Sequence, residues 1–160
     1  MYIQQKIRGF LHLYNGQEAV LSGLINSIDI SKDKVITAYR CHVLPIAMGL
    51  HPKYVMAELL GKKTGSSKGK GGSMHMFSKE HNCFGGHGIV GGQIPLGAGI
   101  AFADKYNNND DMTVVNMTIN ITDNLSATRG SSNTCVCGAR RLAPEQHFVQ
   151  VRGGQCGDRN

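Results

Sequence analysis

Gly85-Gly-His-Gly-Ile-Val-Gly-Gly-Gln-Ile-Pro-Leu-Gly-Ala-Gly-Ile-Ala-Phe-Ala-Asp-Lys-Tyr106 sets a glycine-dense loop directly against a run of small residues. Five glycines between Gly85 and Gly92 let the backbone turn sharply and bring main-chain N–H groups close to a ligand. From Gln93 onward the pattern predicts a helix to Tyr106, with Pro95 in its first turn, where the missing N–H costs nothing. Gly97, Ala98, Ala101 and Ala103 let a neighbouring element approach this helix closely. Such a loop and helix suit a phosphate-bearing cofactor, and equally a plain packing turn. Gly86-His-Gly-Ile-Val-Gly91 also matches the dinucleotide fingerprint. That fingerprint requires a preceding strand, and Ser78-Lys-Glu-His-Asn-Cys83 does not read as one.

Working outward, helix and strand alternate. Val20, Leu21, Leu24, Ile25 and Ile28 recur at helical spacing and predict an amphipathic helix over 17–28. Val35-Ile-Thr-Ala-Tyr39 is a short apolar run, as in a strand buried on both faces of a parallel sheet, with functional groups at its carboxyl end. A second helix runs from Pro52 to Leu60, with Val55, Met56, Leu59 and Leu60 on one face and Gly61 as its stop. Asn107 to Asp111 is a turn, and Val115, Met117, Ile119 and Ile121 alternate in a strand over 113–121. Beyond Thr122 no period persists, and an irregular or disordered tail is expected. The expected division is therefore an α/β domain over 1–112 and a divergent segment over 113–160, with no internal repeat.

With 160 residues the chain is long enough for one domain with a core. No apolar run approaches the ~18 residues of a membrane span, and the amino terminus lacks a signal-peptide layout, so a cytoplasmic protein is expected. Five scattered cysteines, with Cys135-Val-Cys137 lacking a two-residue spacer, argue for idle thiols rather than a disulfide framework. The net charge of +6 collects in Gly61-Lys-Lys-Thr-Gly-Ser-Ser-Lys-Gly-Lys-Gly-Gly-Ser73 and in Arg140-Arg141, without interleaved aromatics, which speaks against nucleic acid. The loop narrowly misses a phosphate-binding P-loop, having three residues between Gly65 and Gly69 and a glycine after Lys70. It reads otherwise as a mobile, solvated surface loop.

Tyr39-Arg40 falls at the carboxyl end of a predicted parallel strand, where an arginine can fork two hydrogen bonds onto a phosphate or form an ordinary salt bridge. His12 precedes the first helix, and His42, His75, His81 and His87 lie near the glycine loops. A metal set of His75, His81, Cys83 and His87 fits no common zinc spacing. Hydrogen-bonding histidines are the better reading.

Four stretches together carry a family resemblance: Arg8-Gly-Phe-Leu-His-Leu-Tyr-Asn-Gly-Gln-Glu18, Ile36-Thr-Ala-Tyr-Arg-Cys-His42, Lys68-Gly-Lys-Gly-Gly-Ser-Met-His-Met76, and Gly85 to Tyr106. Over residues 1 to about 111 the chain resembles the alpha subunits of thiamine diphosphate-dependent 2-oxo acid dehydrogenases, most closely the pyruvate dehydrogenase type. The resemblance implies a partial thiamine diphosphate-binding fold, a parallel sheet flanked by helices. It also implies a cofactor site completed by a beta subunit in a heterotetramer, and a lipoyl-bearing acyltransferase as recipient of the acetyl group. By the same resemblance Tyr39 and Arg40 contact the cofactor and its diphosphate, and Gly88 and Val90 present backbone to its aminopyrimidine. His12 is the catalytic candidate facing the 2-oxo acid, with Ser78, His75 and His87 near the substrate pocket. Branched-chain 2-oxo acid and acetoin dehydrogenases share these motifs and are the alternatives within the family. A nicotinamide dehydrogenase and a non-enzymatic module that docks on a beta subunit are those outside it.

The resemblance stops near residue 112. Relatives carry Gly-Asp-Gly after this strand and an Asn further on, oxygen ligands for the magnesium that bridges the diphosphate. Here the strand runs on as Asn116-Met-Thr-Ile-Asn-Ile-Thr-Asp123, and Asp123 is followed by Asn124. Magnesium is thus expected for the family without its ligands in this chain, no metal-binding residue is assigned, and an incomplete or frame-shifted copy, inactive alone, is the expectation.

Overall fold

The computed structural model describes residues 1–120, 132–139 and 149–152. Five strands form one sheet in the order β2-β1-β3-β4-β5. The strands are β1 (Lys34–Ala38), β2 (Cys83–His87), β3 (Thr113–Asn120), β4 (Ser132–Ala139) and β5 (Val149–Arg152). The helices are α1 (Glu18–Ser27), α2 (Leu44–Ala47), α3 (Pro52–Leu59) and α4 (Gln93–Tyr106). β1 pairs in parallel with β2 and β3, giving the expected parallel α/β core. Among the described residues no helix is long and apolar enough to cross a membrane.

Central β1 is buried at every residue from Val35 to Tyr39, so it carries an unbroken apolar run rather than alternation. On one face Val35 and Val114 meet Leu21 and Leu24 of α1, together with Tyr14 and Leu44. Ile36 and Val115 lie on the other face under α4, where a Cβ on Gly97 would come within 3.3 Å of Ile36 Cγ2 and collide with Val115. That contact explains Gly97 alone: the helix lies on the sheet through this glycine, while Ala98 and Ala103, expected on the same close-packing face, are exposed.

Two expectations are revised here. A strand does precede the glycine fingerprint: β2 starts at Cys83 and takes in Gly85 and Gly86. Its apolar signal is weak because a side chain at Gly86 has no room, a Cβ there lying 2.7 Å from the Cys41 Cβ. The dinucleotide reading gains nothing from this, because its acidic residue belongs at the carboxyl end of the next strand. Asp104 and Asp111 instead bind Lys34 at the amino end of β1, both at 2.7 Å. Burial disfavours the Lys34 ammonium, but hydrogen bonds to Asp104 and Asp111 outweigh it and hold its pKa above the ordinary value.

The second revision concerns the basic loop, which is not a loose solvated segment. Glu58 of α3 is fully buried, and its carboxylate accepts four main-chain N–H bonds. Oε2 takes those of Ser67 at 2.7 Å and Gly69 at 2.9 Å. Oε1 takes those of Gly71 at 2.7 Å and Gly72 at 3.1 Å. The N–H groups of a would-be P-loop are thus turned onto the chain's own carboxylate, and buried polar groups are satisfied on both sides.

Past β3 the sequence led us to expect irregular chain. The backbone instead pairs β4 antiparallel along all of β3, Thr113 with Ala139 through Asn120 with Ser132, and β5 along β4. An unpaired β3 edge exposes a row of N–H and C=O groups, and any extended segment satisfies them whatever its apolar period. Ile121, Asp123 and Arg140-Arg141 lie outside the described residues.

Candidate functional site

The carboxyl end of β1 gathers the candidate residues. Just past it, the Tyr39 ring packs on His12 with centroids 4.5 Å apart and planes tilted by 56°. The Arg40 guanidinium lies 5.8 Å from the Tyr39 ring and donates from Nη1 to the Leu13 carbonyl at 2.6 Å. That bond ties the arginine to the segment before α1 and leaves its other donors for a ligand.

Ser73 is the hub that the sequence did not reveal. Its hydroxyl accepts the His12 main-chain N–H at 3.1 Å and lies 2.7 Å from Nε2 of His42. Its carbonyl accepts the Cys41 thiol at 3.5 Å. One residue at the end of the glycine loop therefore joins the amino-terminal segment to the β1 terminus. Burial lowers the pKa of His42, against an opposing hydrogen bond that its ring donates to the Ser73 main chain, and the charges of His12 and Arg40 lower it further. His12 is lowered by burial first and by Arg40 second. The site is thus one fixed cation beside two imidazoles held toward their neutral form, an environment for an anion with a neutral acid–base group at hand.

From Ser73 the chain turns back alongside β2. His75 is oriented by Nδ1, 3.1 Å from the Gly86 carbonyl, and a Cβ on Gly88 would come within 3.2 Å of its Cε1. Gly88 and Val90 lie in the exposed turn between β2 and α4, so their backbone is accessible beside His75. His87 ends β2, its Nε2 3.2 Å from the Phe84 carbonyl and its ring edge-on to Phe77. Ser78 is not brought to this end: it bridges to Cys83 at the start of β2, and its hydroxyl lies 2.7 Å from Nδ1 of His81. Among the described residues no three His, Cys, Asp or Glu side chains converge to hold a metal. Cys41 and Cys83 are free and buried, and burial pushes their thiols up to about 12 and about 11, outside the reactive range.

Beneath the site the buried sheet face turns polar. Toward the carboxyl ends Thr37 pairs with Asn116, where Val35 and Val114 stand one step earlier. Burial raises the Tyr14 phenol to about 12, and neither its hydroxyl nor the Asn116 amide has a hydrogen-bond partner among the described residues. Gln93, at the start of α4, is fully buried with neither amide atom bonded to protein among the described residues. A buried amide in that state calls for a water, a ligand or a further piece of protein.

The dehydrogenase E1 component model matches residues 1–117. The chain belongs to that family. Its similarity to the Zymomonas mobilis pyruvate dehydrogenase E1 component subunit alpha is 62% identity over 102 residues, 64% of this chain and 29% of that protein. A Rickettsia bellii subunit of the same name is 51% identical over 112 residues, covering 70% of this chain and 34% of its own length. The mitochondrial Dictyostelium discoideum subunit is 60% identical over 107 residues, 67% of this chain and 28% of that protein. This E1-family chain therefore spans about a third or less of the relatives it matches, and its family match ends inside β3.

Proposed function

We propose that this chain carries the alpha-subunit half of a thiamine diphosphate site in a pyruvate dehydrogenase, the reaction being oxidative decarboxylation of pyruvate with acetyl transfer to lipoyl groups. The observation that supports this reading most is the cluster at the carboxyl end of β1, where Tyr39, Arg40, His12, His42 and Ser73 converge in a chain 62% identical to a pyruvate dehydrogenase alpha subunit.

The donor set suits the cofactor: Arg40 has donors left over for a diphosphate, and the Gly88–Val90 turn offers backbone next to His75. When bound, thiamine diphosphate supplies a thiazolium ring that accepts the electrons released as carbon dioxide leaves. Arg40 then binds and orients the diphosphate, while the Tyr39 ring holds the His12 imidazole over the site. Kept toward its neutral form, His12 can accept or return a proton at the substrate oxygen, and His42 and Ser73 fix the segment that carries it. His75 and His87 border the pocket, while Ser78 lies at the other end of β2, bonded to His81. Magnesium completes this site in the family, and the missing Gly-Asp-Gly leaves the diphosphate charge uncompensated, so the isolated chain is inactive. The partners are a beta subunit and a lipoyl-bearing acyltransferase, and the compartment is the cytoplasm. The family match runs past residue 112 to residue 117, into β3, which pairs with β1.

The test joins residues 1–115 to the remaining length of the Zymomonas mobilis relative and co-expresses the chimera with its beta subunit. Pyruvate-dependent, thiamine-dependent decarboxylation is expected, with Arg40→Gln lowering it at least about a hundredfold and His12→Ala lowering kcat. An assembled, folded chimera without activity contradicts the reading. Activity on branched-chain 2-oxo acids or acetoin in place of pyruvate reassigns the substrate, and hydride transfer to a nicotinamide reassigns the class.

A further inference from the structure

The glycine loop that ends at Ser73 also borders a cavity of ≈ 780 Å³, which shares no lining residue with the cluster at the end of β1. Its wall includes Lys6 and Arg8 from the amino-terminal segment and Lys62 and Lys70 from the loop. None of these four cations forms an ion pair among the described residues. The one carboxylate in the wall, Glu58, is held by four main-chain N–H groups and offsets only part of the charge of these cations, so the wall stays net positive. Leu59 and Leu60 give the cavity an apolar side. A concave surface with a net positive charge focuses its field and draws in anions more strongly than the same charges spread over a convex face.

We propose that this cavity binds a small organic polyphosphate, with Lys6, Arg8, Lys62 and Lys70 holding the phosphates and Leu59 and Leu60 packing against the apolar body. The Glu58 bonds serve the site by fixing the loop, so that Lys62 and Lys70 are presented from an ordered backbone. Two cations come from each of two chain segments, so ligand binding also ties the amino-terminal segment to the loop. The site stands apart from the thiamine reading, because Arg40, Tyr39 and His12 take no part in it.

Tripolyphosphate, pyrophosphate and adenosine diphosphate, each without magnesium, are titrated calorimetrically into the full 160-residue chain at low salt. One-to-one binding that weakens as salt is added is expected, with adenosine diphosphate bound at least as tightly as pyrophosphate. Lys62→Glu with Lys70→Glu, and separately Lys6→Glu with Arg8→Glu, each lower affinity at least about tenfold, while Arg40→Gln leaves it unchanged. The two double variants lie on different segments, so a folding failure in one leaves the other to decide. No binding, or a loss confined to Arg40→Gln, overturns the proposal.

Discussion

At the scale of single residues, what matters is how side chains from distant stretches are held together. Ser73 does this for His12 and His42, 61 and 31 residues away. Nothing in its sequence setting, a serine among lysines and glycines, marks it, whereas Tyr39 and Arg40 were legible because they follow an unbroken apolar strand. Ser78 shows the opposite failure: resemblance put it near the substrate, but a serine bonded to His81 at the far end of β2 reaches His12 only through other groups. The lowered pKa values of His12 and His42 carry a consequence for stability. Each imidazole takes up its proton more readily in the unfolded chain, so their contribution is complete above the unfolded value of 6.5 and is lost as pH falls through the folded value. A thermal melting series from about pH 7.5 to about 5 is expected to show a falling Tm, and His42→Gln is expected to blunt the fall. An unchanged slope in that variant would exclude His42 as a source.

Among the elements, α1, α3, α4, β1 and β3 were readable within a residue or two because periodicity reports burial. α2, at four residues, is too short to show a period, and β2 was hidden by its glycines. Two substitutions in α4 separate helix preference from packing. At Gly99 a Cβ meets nothing within 4 Å, and Gly99→Ala is expected to stabilise by up to about 1 kcal/mol through helix preference. Gly97→Ala earns the same preference but drives a methyl into Val115, and overpacking of about 1 to 3 kcal/mol should reverse the sign. Denaturant melts of the two variants read the difference directly. For the basic loop, Glu58→Ala strands four N–H groups at roughly 1 to 3 kcal/mol each, more than a loop of glycines and lysines can offset. The amides of Ser67, Gly69, Gly71 and Gly72 should then exchange rapidly, and trypsin should cut after Lys62, Lys68 and Lys70. Retained protection would show that the carboxylate does not organise the loop. Composition alone suggested solvation here because the burial of Glu58, a charged residue in the last turn of α3, follows no apolar pattern.

For the molecule as a whole, the family match and the described core agree over the first three strands and part company inside β3. Large apolar side chains remain exposed on this chain, among them Phe10, Ile89, Phe102 and Tyr106. Exposed apolar surface of this kind is what further protein covers at an interface, and the chain spans about a third or less of the relatives it matches. The parallel core was legible because four motifs recur in family order. The antiparallel extension was not, because edge pairing draws on backbone groups that every sequence supplies. We propose that an E1-family sequence is interrupted within β3, where the family match ends, and continues as an unrelated segment. The most direct measurement is to sequence the coding DNA from the codon for Met112 onward and translate all three frames. Gly-Asp-Gly and its distant Asn are expected in another frame. Their absence from every frame would contradict the proposal and leave the segment after β3 as this protein's own.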